Sequence, residues 1–304
     1  MNGNHNNDSF SGFRSGFAAI AGAPNVGKST LLNRMIGEKI SITSQKPQTT
    51  RNRIVGVMHG ENSQIVFLDT PGVHKSDKAF NRKIVQVALS AMDEVDLVLV
   101  VIDASNPDVS SESLVVEKLK KRPNTPAVLA INKIDKIDKP ALLAIIDRWA
   151  NRHPSFSEII PISALDGTQV PELMDAMQKL LPEGPPFFPE DALTDMPERF
   201  IVCEMIREKI FENTGREVPY GTAVTIEDFS EEGAIIRIHA AIHVERDSQK
   251  GIIIGKNGAM LKTIGTQARM DIENLLGAKV FLKLFVRVEK NWSRDPRAMR
   301  KLGY

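Results

Sequence analysis

Cysteine is nearly absent: Cys203 is the single one in 304 residues. That excludes an internal disulfide framework and fits a reducing compartment. Long apolar runs are missing too, since none approaches the ~20 residues needed to span a bilayer. His239 and His243 share neither a helix nor a Cys or Glu partner at ligand spacing, so no histidine metal centre is expected. There is no internal repeat, and no excess of one charge: 39 Lys and Arg face 38 Asp and Glu. What remains is a composition of 42% hydrophobic and 25% charged residues, ordinary for a soluble globular protein, and a length that suggests about two domains.

The neutral balance is uneven along the chain. Residues 248–304 hold 12 basic against 4 acidic residues. A near-neutral chain with a basic end suggests one domain that meets a polyanion, although a solvated lysine-rich surface explains the charge equally well. The opening MNGNHNNDSFSGFR is polar and Asn-rich and lacks the apolar core of a signal peptide. Residues 1–14 therefore read as a disordered tail.

The first half alternates short apolar runs with helical patterns, as parallel α/β domains do. Strands are expected at Phe17–Ala21, Arg53–Met58, Gln64–Leu68, Leu97–Ile102, Ala127–Ile131 and Ile159–Ile162. The runs LVLVVI and AVLAI suit central strands buried on both faces. Helices are expected through Leu31 and Met35, and over Asn81–Met92, Ser111–Lys121, Ala141–Asn151 and Pro171–Leu181. The stretch Pro182–Pro197 is too rich in proline for a continued helix or a central strand and reads as a linker. It divides a domain at 15–181 from one at 199–304, with the linker at 182–198. Beyond it the order changes: a helix over Phe200–Asn213, strands at 221–226 and 234–244, a glycine-rich turn at Gly251–Gly258, a helix over Ala259–Leu276 and a strand at Lys279–Val288.

Gly22-Ala23-Pro24-Asn25-Val26-Gly27-Lys28-Ser29 has the Walker A pattern and sits between an expected strand and an expected helix. Its backbone N–H groups can wrap phosphate oxygens, Lys28 can neutralise the β- and γ-phosphates, and the Ser29 hydroxyl, with Thr30 beside it, can ligate Mg²⁺. Asn132-Lys133-Ile134-Asp135 follows the strand Ala127–Ile131 and supplies a choice of base. The Asp135 carboxylate can accept from guanine N1–H and the 2-amino group, two donors that adenine lacks. Asp69-Thr70-Pro71-Gly72 ends a strand, with Asp69 placed to hold Mg²⁺ through water and the Gly72 N–H to meet the γ-phosphate. In the polar segment SITSQKPQTTRNR one threonine should complete the metal shell; Thr50 is favoured, with Thr49 the alternative. Ser163-Ala164-Leu165 follows another strand, where its backbone can meet guanine O6.

These elements, in this order, resemble the Ras-like GTPase superfamily. One position departs from Ras, whose DxxG glycine is followed by the glutamine that orients the attacking water; here it is Val73. Valine cannot hydrogen-bond water, so intrinsic hydrolysis is expected to be slow. The substitution resembles the hydrophobic-substituted branch of the translation-factor-related GTPases. No general base is assigned; Lys28, Thr50 and Gly72 are expected to support hydrolysis. Asn25 matches members of that branch that use a potassium ion, which the resemblance implies here.

In the second domain Gly255-Lys256-Asn257-Gly258 follows Ile252–Ile254 and precedes a helix bearing Lys262 and Arg269. That is the arrangement of a KH domain, whose GXXG loop clamps about four backbone nucleotides. Lys250, Lys256, Lys262 and Arg269 are the candidate phosphate contacts. On the last strand Lys279, Phe281, Lys283, Phe285 and Arg287 share a face, interleaving basic and aromatic groups as single-strand binders often do. Packing of Phe281 and Phe285 beneath the preceding helix explains them equally well.

The whole chain resembles the Era family of GTPases, on GAPNVGKS, KPQTTR, DTPG, NKID, the proline-rich linker, IIIGKNGAMLKTIG and the closing RAMRKLGY. That resemblance implies a fold of a Ras-like P-loop GTPase domain with a mixed, mostly parallel sheet, then a smaller α+β type II KH domain. It implies GTP/GDP and Mg²⁺ as ligands and the 3′-end region of 16S rRNA as partner during maturation of the small (30S) subunit. It further implies a cytoplasmic monomer with a loose peripheral association with the inner face of the cell membrane. Two other readings compete: an RNA-binding module with an inactive GTPase half, and a membrane-remodelling or transport GTPase. The second lacks a transmembrane run or a long amphipathic basic helix.

Overall fold

The computed structural model describes residues 11–303 except 44, 45, 47–49, 51, 52, 74–78, 153–155, 216 and 217. Most of the expected tail, and Thr49, lie outside the described residues. The chain forms two compact units, one of residues 1–41 and 50–195, the other of residues 42–49 and 196–304.

The first unit is built on six strands: β1 (Arg14–Ala21), β2 (Ile54–Gly60), β3 (Ser63–Asp69), β4 (Leu97–Asp103), β5 (Ala127–Asn132) and β6 (Glu158–Pro161). Their order is β2-β3-β1-β4-β5-β6; β2 runs antiparallel to β3 and every other pairing is parallel. β3, β4 and β5 are buried along their whole length, as unbroken apolar runs require in a sheet covered on both faces. Among the described residues five α-helices complete the unit: α1 (Lys28–Ile36), α2 (Ala79–Ser90), α3 (Val109–Lys120), α4 (Lys139–Arg152) and α5 (Val170–Leu180). Local chemistry sets their ends. Asp108 caps α3 by accepting the Ser111 N–H at 3.1 Å, and Glu112 in the first turn suits the helix dipole.

The proline-rich stretch follows the free edge of this sheet. Leu193 accepts the Val57 N–H of β2 at 2.8 Å, and Gln64 Oε1 accepts the N–H groups of Phe187 and Phe188. The Phe187 ring tilts against Phe17 at 4.9 Å. Its prolines lack the N–H that a ladder needs, so the segment covers the edge strand β2 without forming a strand of its own.

The second unit contains α6 (Glu198–Asn213), β7 (Ala223–Glu232), β8 (Ile235–Val244), α7 (Asp247–Ile254), α8 (Ala259–Leu276), β9 (Lys279–Val288) and α9 (Pro296–Lys301). The sheet order is β7-β8-β9, with β7 antiparallel and β9 parallel to β8. Ile201, Met205, Ile206 and Ile210 of α6 and Ile264, Ala268 and Ile272 of α8 form one core with Ile238, Ala240 and Ile242 of β8. The glycine-rich turn expected at Gly251–Gly258 is shorter than the sequence suggests: α7 runs through Gly251 to Ile254, and only Gly255–Gly258 form the turn. Gly251 has open space around it, so it costs the helix propensity and nothing in packing.

α6 is buried on more than the face its periodicity marks. Glu204, Arg207, Glu208 and Lys209 are buried as well. Arg207 donates from Nε to Glu204 at 2.8 Å, and Lys209 reaches Asp271 at 2.9 Å, the pairing that buried charge demands. Within this unit the segment Ile42–Thr49 contributes Thr43, whose N–H donates to Glu208 at 2.8 Å. The end of the chain folds back here too: Trp292 is fully buried and donates from Nε1 to the Gly221 carbonyl at 3.0 Å.

Candidate functional site

Every nucleotide motif lies at the carboxyl end of a strand. The P-loop leaves β1, Asp69 ends β3, Asn132 ends β5 and Ser163 follows β6. Parallel strands all present the same end to one side, so this edge gathers polar groups from segments far apart in sequence, as open α/β sheets do.

Lys28 is buried and donates to the carbonyls of Gly22 at 3.2 Å and Ala23 at 2.8 Å, its ammonium folded back into the loop. Burial lowers its pKa to about 8 against the raising effect of Asp69. Gly27 caps α1 with φ at 101°, and a Cβ there would lie 2.3 Å from Asn132 Nδ2. Only glycine meets both demands. Gly72 is equally confined, its Cβ position lying 2.7 Å from Pro24.

Asp69 is completely buried, and burial raises its pKa against the opposing pull of Lys28 and of hydrogen bonds from Ser29 and Ser41. Its Oδ2 accepts from Ser29 at 2.8 Å and Ser41 at 2.9 Å. Thr50, also buried, has its hydroxyl 3.0 Å from that of Ser29. Asp69 Oδ1 makes no hydrogen bond among the described residues. An all-oxygen set with one unsatisfied carboxylate atom is the donor chemistry of a hard divalent cation such as Mg²⁺.

Around the base-selecting motif, Asn132 donates to the Val26 carbonyl at 2.7 Å and accepts the Ala164 N–H at 2.9 Å. It thus ties three loops together. Lys133 bridges the Asn25 carbonyl and Asp103, each at 2.6 Å. Asp135 is exposed, with Oδ1 accepting from Ser163 at 2.8 Å. In the chain alone the carboxylate on which the choice of base rests is open to solvent. Ala164 is buried, whereas Leu165 is 70% exposed. Val73 is fully buried, and its N–H donates to the Gly22 carbonyl at 3.0 Å. Thr70 braces β1 through the Ile20 carbonyl at 2.7 Å.

Two residues here escaped sequence reasoning. Burial pushes the Asp103 carboxyl up, but hydrogen bonds from Lys133 and Ser105 hold it below the usual range. Its place at the carboxyl end of β4 was the available signal. Ser41 carried none, because its neighbour Asp69 lies 28 residues away.

In the second unit the GXXG loop joins α7 to α8. Gly255 has φ at 72°, and a Cβ there would meet Met260 Cβ at 2.6 Å. Asn257 and Gly258 also have positive φ, which brings the two helices together in a tight backbone turn. Lys256, Asn257, Lys262 and Arg269 are exposed and Lys250 is half-buried. Phe281 and Phe285 do not lie beneath α8; that side of β9 presents Val280 and Leu284.

A phosphate-wrapping loop, a buried lysine, a buried carboxylate held by hydroxyls and a base-selecting corner, followed by a helix–GXXG–helix turn on its own sheet, define a P-loop GTPase joined to a KH domain. The family models agree. "50S ribosome-binding GTPase" matches residues 17–133, and "KH domain" matches 217–293. The GTPase Era of Geobacter metallireducens is 55% identical over 96% of this chain and 98% of its own length, and that of Geotalea uraniireducens is 54% identical with the same coverage. Among solved structures, an Aquifex aeolicus Era variant bound to GDP·AlF4⁻ superposes with a TM-score of 0.91 at 42% identity. An Era complex with MgGDPNP and nucleotides 1506–1542 of 16S ribosomal RNA gives 0.92 at 42% identity; both cover 96% of this chain and 99% of theirs. The chain belongs to the Era family, and it is a GTPase.

Proposed function

We propose that this chain is a GTP-gated RNA-binding switch whose KH unit takes the 3′-end region of 16S rRNA and assists maturation of the 30S subunit. The observation that carries the reading is the completeness of both sites in one chain: Lys28, Ser29, Thr50, Asp69 and Asp135 at one strand edge, and a glycine-framed turn with exposed basic side chains in the other unit. The solved Era complex holding that rRNA segment supports the target.

In this reading the N–H groups of Gly22–Thr30 hold the phosphates and Lys28 turns from its carbonyl partners to neutralise them. Asp135 orients guanine, Asn132 and Lys133 fix the corner around it, and the Ser163–Leu165 backbone meets O6. Ser29 and Thr50 would hold Mg²⁺ directly and Asp69 through water, and the metal would neutralise charge on the phosphates. The Gly72 N–H meets the γ-phosphate. The buried Val73 contributes no water-orienting group, so basal turnover is slow. Asn25, exposed on the loop, offers a neutral oxygen to a potassium ion, and turnover in potassium against sodium salts tests that part. Gly255, Lys256, Asn257 and Gly258 clamp the RNA backbone, with Lys250, Lys262 and Arg269 adding charge. The protein works as a cytoplasmic monomer, loosely associated with the inner face of the membrane.

Crosslinking the chain to RNA in cells and sequencing the adducts tests the reading. Adducts concentrated at the 3′ end of 16S rRNA are expected. An even spread over ribosomal RNA would overturn it.

A further inference from the structure

The two long helices of the second unit pack on one face of its sheet. α6 and α8 pack on the side that carries Ile238, Ala240 and Ile242 of β8 and Val280, Leu282 and Leu284 of β9. The opposite side presents Arg237, His239 and Ala241 of β8, paired in register with Phe281, Lys283 and Phe285 of β9. Phe281 is 49% exposed, as is Ile235 beside it on the same strand face. Exposed large apolar groups side by side on a sheet face mark a surface that meets something.

The polar groups on this face are arranged around the two rings. The Arg237 guanidinium lies 5.4 Å from the Phe281 centroid, and Lys283 Nζ lies 5.0 Å from that of Phe285. The His239 ring meets both phenyl rings edge-on, at 6.4 and 6.2 Å. The result is a patch of three aromatic rings, His239 standing steeply between the two phenyls, with a cation over each phenyl face. Charge is graded across the sheet. The acidic residues Glu227 and Asp228 lie on β7, where Glu227 takes up Arg287 at 2.5 Å. A polyanion is thereby favoured along β8 and β9 and repelled from β7.

We propose that this open face is a second RNA-binding surface, on which unpaired bases flanking the nucleotides held by the GXXG loop stack against Phe281, Phe285 and His239 while Arg237 and Lys283 meet the phosphates. Every base has a π-face, so such a patch accepts single strands with little regard to sequence. An aromatic patch suits exposed bases, and its cations suit the backbone between them. β9 is the edge strand, and α8, which begins at the GXXG loop, packs on it with Gly265 facing Leu284. A strand leaving the loop can therefore pass round β9 to the open face. The inference rests on the proposed KH function, and its test separates the two.

Two labelled RNAs from the 3′ end of 16S rRNA serve as probes in anisotropy titrations. One is about four nucleotides long, the reach of a GXXG clamp, and the other about twelve, within the range of single-strand sites. Phe281→Ala and Lys283→Glu should each weaken the long RNA about fivefold or more and leave the short one unchanged, with thermal melting confirming the fold. Lys256→Asp combined with Asn257→Asp should weaken both. Replacing flanking bases of the long RNA with 2-aminopurine adds a direct readout: fluorescence quenched on binding to the wild type and restored with Phe281→Ala. Long-RNA affinity unchanged by Phe281→Ala and Lys283→Glu, while the loop variant still weakens it, would overturn this surface and leave the KH reading standing. Equal losses for short and long RNA would also overturn it, since the face would not be separate from the loop. A loop variant that binds both RNAs normally would overturn the KH reading itself.

Discussion

The two sites use charge in opposite ways. In the nucleotide site Lys28, Asp69, Asp103 and Asn132 are all buried and fixed by hydrogen bonds to loops that meet only in the fold. In the KH unit Lys256, Lys262 and Arg269 are exposed, and the precision lies in the backbone turn at Gly255. The first arrangement holds polar groups in place before the ligand arrives, so each lost group leaves a buried partner unsatisfied. The second attracts a polyanion through solvent, so each lost charge is partly compensated by its neighbours and by salt. Mutations of similar chemistry should differ in size between the two.

The largest effect should come from Lys28→Ala. It removes the buried cation whose charge opposes the effect of burial on Asp69, as well as a phosphate contact. Nucleotide binding should fall below detection in calorimetric titration; an affinity within tenfold of wild type would place Lys28 outside the site. Asp135→Asn comes next. Losing charge-assisted hydrogen bonds worth about 1.5–3 kcal/mol each should weaken GTP sharply and shift preference toward xanthosine triphosphate, whose 2-oxo group accepts a donor. Unchanged GTP affinity would remove Asp135 from the guanine corner.

The KH unit should yield smaller numbers. Lys256→Asp with Asn257→Asp is expected to weaken RNA binding about tenfold, or about 1.4 kcal/mol, without altering nucleotide affinity. Filter binding at two salt concentrations checks this, because the wild type should be the more salt-dependent. A loss as large as that of Lys28→Ala would erase the contrast between the sites. The smallest effect concerns stability. His243 is buried, with its ring 2.8 Å from the Thr225 hydroxyl, and burial lowers its pKa despite Glu289 nearby. A histidine depressed in the folded state contributes fully above its unfolded value of ~6.5 and loses that contribution as pH falls below it. Melting of the wild type should therefore drop modestly between about one pH unit above and one below that value. His243→Gln should flatten the drop; an unchanged slope would assign it to other groups.

How much of each site could be read from the chain follows the same division. Gly22–Ser29, Asp69–Gly72 and Asn132–Asp135 are short contiguous motifs, and each encodes a loop geometry within itself. Asp103 and Ser41 were missed because each acts on a group far away in sequence, Lys133 or Asp69, and neither has a local pattern. In the KH unit the GXXG tetrapeptide was legible but α7 was not, since Gly251 and Gly255 together look like a turn when only the second has a positive φ. The alternation on β9 identified two faces without saying which one the helices cover.

Local sequence determined most of the elements, the division into an α/β part and a basic α+β part, and the chemistry each motif can perform, because backbone propensity, periodicity and side-chain type are properties of neighbouring residues. Tertiary structure alone decided the rest. It brought Thr50 to Ser29, buried charged residues of α6 with their partners, grouped Ile42–Thr49 with the C-terminal unit and left Phe281 on an open face. Each of these depends on which surfaces pack together, and the burial and pairing of a side chain are set by residues that the chain brings near only on folding.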